Sequence, residues 1–196
     1  MSKDRKRQQK IEEYDTLLNS YVVSKDVVKI KRTVTEGEAD IYGIIVKNEN
    51  EFLHVVEEDN FQFISEIIIK KDHFDSIRCN KSDKTTRKIL KEEGLLNERL
   101  PETTAISLSS WAGIFEILRS KDIHVIIECE DLKKPILAIG SIQKIKVDKV
   151  ELGYYNSKGR FKSKPINIKY SEITLLKFND RYSRIFRKYL KQPRSK

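Results

Sequence analysis

The sequence predicts a mainly β protein with peripheral helices, an α+β chain of two five-stranded barrel-like modules in tandem. Three observations carry that expectation. Short runs rich in Val, Ile and Phe alternate with turn-forming residues along most of the chain. The same order of elements occurs twice. A glycine lies inside the long second strand of each half, Gly43 in Tyr42-Gly43-Ile44-Ile45 and Gly140 in Ile139-Gly140-Ser141-Ile142. Such a glycine marks a bend or bulge where a small sheet curls over itself.

In the first half, Ile11, Tyr14, Leu17 and Leu18 recur at helical spacing and predict a short amphipathic helix over 11–20. Strands are expected at 27–32, 39–47, 51–57, 61–71 and 76–79, separated by turns such as Glu36-Gly37 and Asn48-Glu49-Asn50. A helix over 82–94 follows, with Ser82 as its cap, Ile89 and Leu90 inward, and Gly94 closing it in the left-handed conformation.

Segment 97–104, with Pro101, reads as the linker, so 1–20 is a basic leading segment, 21–96 the first module and 105–196 the second. The second opens on a helix over 107–120 with Leu108, Trp111, Ala112, Phe115 and Leu118 on one face. Strands are expected at 123–129, 135–145, 150–155, 165–169 and 173–178, with Asn156-Ser157-Lys158-Gly159 as a hairpin turn. When Gly43 is set on Gly140, Val27 to Ile30 lie 16 to 13 residues before the first glycine and Val125 to Ile127 lie 15 to 13 before the second. Downstream, Ile77 follows Gly43 by 34 residues and Ile173 follows Gly140 by 33, the pattern of an internal duplication.

A leading helix, a bent second strand, and a closing strand, short polar turn and strand make each half resemble the Sm-like and broader SH3-like small barrels. The closing pieces are Ile67 to Ile77 and Ile166 to Ile173. The resemblance covers about 60 to 70 residues of each half and implies the barrel plan alone. Neither half carries the Asp/Asn loop motif or the glycine-bearing basic motif of ring-forming Sm proteins, so that family's RNA pocket and ring assembly do not come with it.

Composition narrows the function. Charged residues make up 35% of the chain and hydrophobic ones 38%, as suits small modules with much surface. No apolar run is long enough for a membrane helix or a signal peptide, which points to a cytoplasmic protein with no membrane partner. Cys79 and Cys129 are too few for a disulfide framework and have no CxxC or His partner, so both are expected to be reduced. His54, His73 and His124 show no metal-ligand or triad spacing, and no phosphate-loop or nucleophile-elbow motif occurs. Acidic runs Glu57-Glu58-Asp59 and Glu128 to Asp131 read as solvated edges rather than cation sites. The expectation is a protein that is not an enzyme and takes no cofactor.

Charge is distributed unevenly. From Asn156 to Lys196 there are 13 Lys or Arg against Glu172 and Asp180, whereas residues 11–155 are net acidic. Two patches stand out. One is an expected helix over 179–191, with Tyr182, Ile185, Phe186, Tyr189 and Leu190 on the face packed against the barrel and Arg181, Arg184, Arg187 and Lys188 on the other. The other is the hairpin carrying Tyr155, Lys158, Arg160, Phe161, Lys162 and Lys164, where aromatics between cations suit base stacking and phosphate contact together. Nucleic acid, RNA before DNA, is the first partner these ten residues suggest. An acidic protein docked by an adaptor or inhibitor is the second, a small anion or nucleotide held between the modules the third, and a plain solvated surface fits the same charges.

Overall fold

The computed structural model describes residues 3–35, 37–98 and 106–191, and it is mainly β. A long helix α1 (Lys3–Ser24) leads into β1 (Val27–Lys31), a two-stranded ribbon β2 (Thr33–Val34) and β3 (Gly37–Glu38), then β4 (Ile41–Glu49), β5 (Phe52–Asp59), β6 (Gln62–Lys70) and β7 (Ser76–Arg78). Helices α2 (Lys81–Glu92) and α3 (Leu95–Glu98) close the first half. The second half runs α4 (Trp111–Ser120), β8 (Val125–Cys129), β9 (Ile136–Ile145), β10 (Lys149–Tyr154), β11 (Ile166–Lys169), β12 (Leu175–Phe178) and α5 (Arg181–Phe186), ending in a 3-10 turn at Arg187–Tyr189.

Ten of these strands form one continuous antiparallel sheet in the order β7-β1-β4-β5-β6-β12-β8-β9-β10-β11. No closed barrel is found among the described residues. Each half nevertheless contributes five adjacent strands in the same internal order, with the last strand beside the first. The halves meet where β6 pairs with β12, Ile68 opposite Leu176 and Glu66 opposite Phe178.

The glycine expectation has a steric basis. A Cβ on Gly43 would sit 2.2 Å from the Val56 carbonyl oxygen, and one on Gly140 would sit 2.2 Å from that of Gly153, so the neighbouring strand occupies the space of a side chain. Three residues on, the register with the third strand slips in both halves, past Val46 in β4 and past Gln143 in β9. The upstream alignment also agrees, since Val28 lies opposite Gly43 and Val125 opposite Gly140. The downstream one shifts. The 3-10 turns at Lys71–His73 and Tyr170–Glu172 are the equivalent points, so Ile77 matches Leu176 rather than Ile173. The longer connection from β10 to β11 displaces the later elements of the second half.

Packing ties the halves together. The larger core gathers Trp111, Ile114, Phe115 and Leu118 of α4 over the second-half strands, yet includes Phe52 and Ile68 of the first. Phe52 meets Trp111 edge-on at 4.9 Å between ring centroids. Another cluster sets Leu18 of α1 against Ile45, Val55 and Ile67 and includes Leu175 from β12. A small third one places Leu90 and Leu96 over Val27 and Ile44. Burying each large apolar side chain in these clusters contributes about 1.5–3 kcal/mol.

Helix ends depart from the expected ones. The leading helix extends past 11–20 in both directions, and α4 starts at Trp111 rather than at 107, capped by Ser110, whose Oγ accepts from Gly113 N at 3.2 Å. In α2 the cap is Asn80, not Ser82: Asn80 Oδ1 accepts from Asp83 N at 3.0 Å while Asp83 Oδ2 accepts from Asn80 N at 2.7 Å. Asn80→Ala is expected to lower unfolding stability by about 1 kcal/mol in urea titration. Gly94 takes the left-handed conformation, with φ 72°. Of the expected linker, Asn97 and Glu98 fall in α3 and residues 99–104 lie outside the described residues.

Candidate nucleic-acid interface

The site is built where the chain leaves β12. Asn179 adopts a left-handed φ of 55°, and its Nδ2 donates to the buried Glu66 Oε1 at 2.6 Å. Asp180 then caps α5, its Oδ1 accepting from Ser183 N at 2.8 Å. These two anchors set α5 across the start of β6 with Ser183 buried and Arg181, Tyr182, Arg184 and Ile185 outward. Between α5 and Gln62, Phe63 and Ile64 of β6 opens a cleft of about 660 Å³, whose other wall is Arg181, Arg184, Ile185, Arg187 and Lys188.

The cations differ in how they are held. Arg187 is engaged, its Nη1 donating to the Asp122 carbonyl at 2.7 Å and its Nη2 to Asp122 Oδ2 at 3.2 Å. Arg181, Arg184 and Lys188 are exposed and make no ion pair with a described residue. The hairpin patch is tied to the residues that follow α5. Asn156 Oδ1 accepts from Lys158 N and Arg160 N, Gly159 turns the loop with φ 71°, and Lys191 N donates to the Gly159 carbonyl at 2.8 Å. Lys158, Arg160, Lys162 and Lys164 of this hairpin are exposed, and Arg160 bridges to Lys191 beyond α5.

Two expectations about aromatic side chains need correction. Tyr155 is 3% exposed, stacked on Phe186 at 5.8 Å and met edge-on by Phe161 at 5.7 Å, and burial pushes its hydroxyl up to about 12. Phe186 of α5 and His124 cover Tyr155, while its neighbour Tyr154 is the one packed on the core, and Phe161 is half-buried against Tyr155, so neither is an open platform. The C-terminal helix is also shorter than 179–191, and its apolar stripe does not all pack. Phe186 fills the gap over Tyr155, leaving Tyr182 at 48%, Ile185 at 47% and Tyr189 at 71% exposure. Phe61, in the β5–β6 turn beside the cleft, is another exposed aromatic. Nothing in the sequence marks Phe61 and Phe63 as site residues: both fall in the expected strand 61–71, and Asn60-Phe61 lacks the glycine that usually signals a two-residue hairpin.

Several other titratable groups are already occupied. Lys177 Nζ lies 2.9 Å from Glu57, Glu58 Oε1 accepts from Phe61 N at 2.7 Å, and Glu130 pairs with Arg32. No group of three His, Cys, Asp or Glu side chains that could hold a metal is present among the described residues. The two cysteines are free, with Cys129 buried and its thiol pushed up to about 12 by burial and nearby carboxylates. No helix among the described residues is long and apolar enough to cross a membrane.

His124, packed against Tyr155 at 5.7 Å between rings, has its pKa lowered by burial and then by Arg187. The folded state therefore disfavours the imidazolium. Its contribution is fully present above the unfolded value of about 6.5 and is lost as pH falls through that value toward the folded one. The melting temperature of the protein is expected to fall between pH 7.5 and 5.5 by more than that of His124→Gln, read by scanning calorimetry.

Comparison with protein-family models, with curated proteins and with solved structures finds no match.

Proposed function

We propose that the protein is a non-catalytic, cytoplasmic binding protein that holds RNA on the basic residues of its second half, and that its halves are two copies of one small-barrel plan. The single observation that supports the RNA reading most is the cleft wall. Arg181, Arg184 and Lys188 stand there without ion pairs among the described residues, next to exposed Tyr182 and Ile185. Unpaired cations neutralise phosphates at little desolvation cost, and exposed rings beside them accept bases. The hairpin cations Lys158, Arg160, Lys162 and Lys164 extend the track along the backbone of the same strand. The barrel reading rests on the shared strand order, the paired glycines and the bulge three residues after each.

Fluorescence anisotropy with labelled oligonucleotides tests the function. Binding of RNA that weakens steeply and linearly in log salt supports the proposal. No affinity for single- or double-stranded oligonucleotides at low salt, together with a stoichiometric acidic protein retained after nuclease treatment, would replace it with the adaptor reading.

A further inference from the structure

We infer that the cleft takes an unpaired segment of RNA and that Phe61, in the first half of the chain, stacks on one of its bases. This rests on the RNA reading above and adds the strand state of the ligand and a contribution from the other half. Asn60 and Phe61 form the two-residue turn between β5 and β6, with φ of 50° and 61°. Two successive left-handed residues are the geometry for which Asn-Gly is the usual pair, and a bulky aromatic in the second place is a genuine outlier. The turn is held regardless, by Phe61 N donating to Glu58 Oε1 at 2.7 Å and Asn60 Nδ2 to Asp59 Oδ1 at 3.1 Å.

The ring gains nothing evident from the fold in return. Phe61 is 43% exposed and belongs to none of the three core clusters. What it does have is position. The next residues, Gln62, Phe63 and Ile64, line the cleft opposite Arg181, Arg184 and Lys188. The β6 side of the opening thus carries Phe63 and Ile64, next in the chain to the turn at Phe61, and the other side carries mostly cations. That division matches a single strand, whose phosphates and base faces are both accessible, and not a duplex, whose base faces are hidden in the stack.

The test uses the full chain, a labelled single-stranded RNA of roughly 12 nucleotides and the same sequence annealed to its complement. Phe61→Gly relieves the left-handed strain, so its melting temperature is expected to equal or exceed that of the unaltered protein. It is expected to lose about tenfold in affinity for the single strand, with the salt slope unchanged because no charge is removed. Phe61→Tyr should restore the affinity, and Phe61→Trp should show emission quenched on adding the single strand. Equal single-strand affinity of the glycine variant and the unaltered protein, or preference for the duplex, overturns the stacking inference while leaving the RNA reading intact. Binding of neither RNA by the unaltered protein overturns both.

Discussion

The variant carrying Arg181→Glu, Arg184→Glu and Lys188→Glu is expected to bind single-stranded RNA roughly a hundredfold more weakly at 0.1 M salt, and weaker still through the repulsion added. Each phosphate contact to a single strand adds about 0.7 to the slope of log affinity against log salt, hence roughly fivefold at that concentration, and three contacts multiply. The slope itself should fall by about 2. All three side chains are exposed and lack ion pairs among the described residues, so the melting temperature should barely move. Arg187→Glu is a different experiment, because Arg187 holds Asp122 and its loss also disturbs the loop before β8. An anisotropy titration of the triple variant at several salt concentrations checks the figure, and an unchanged slope would remove phosphate contact from this wall.

The largest effect on stability is expected at the seam between the halves. Glu66 and His54 are each 1% exposed, with Glu66 Oε2 2.7 Å from His54 Nε2 and Glu66 Oε1 accepting from Asn179. Glu66→Ala strands a buried imidazole and a buried amide together, which should lower unfolding stability by about 3–5 kcal/mol in urea titration. Glu66→Gln keeps the shape and one acceptor, and should cost about 1–2 kcal/mol. The consequence reaches the cleft. Asn179 and Asp180 launch α5 from this joint, so Glu66→Ala is also expected to weaken RNA binding, whereas an Asn80→Ala loss of stability at the far side of the sheet should not.

Much of the architecture was legible because it is written in local periodicity. Apolar-rich runs of 4 to 11 residues, Asn and Gly at turns, and the matching glycines at 43 and 140 placed the sheet strands within a few residues and exposed their repeated order. Cap residues were less legible. Asn80 and Ser82 are both competent, and the choice depends on where the chain leaves β7. The C-terminal helix is shorter than expected because its periodicity is real but its packing surface is short: within α5 only Ser183 and Phe186 are covered, and the chain tightens into a 3-10 turn at Arg187–Tyr189.

The candidate site divides the same way. The cations at 181, 184, 187 and 188 and at 158, 160, 162 and 164 could be named from charge density alone, because charge needs no neighbour to be recognised. Which of them stay unpaired required Asp122 to be brought under Arg187. Which aromatics face solvent required the seating of α5, since Phe186 covers Tyr155 while Tyr182 stays 48% exposed. The sequence by itself determined a β-rich chain of two like halves with its positive charge gathered at one end. Only the tertiary structure decided that the halves share one sheet through β6 and β12. That pairing of residues more than a hundred positions apart seats α5 across from the start of β6 and creates the cleft. Such contacts follow from the packing of whole surfaces, and no local pattern of residues encodes them.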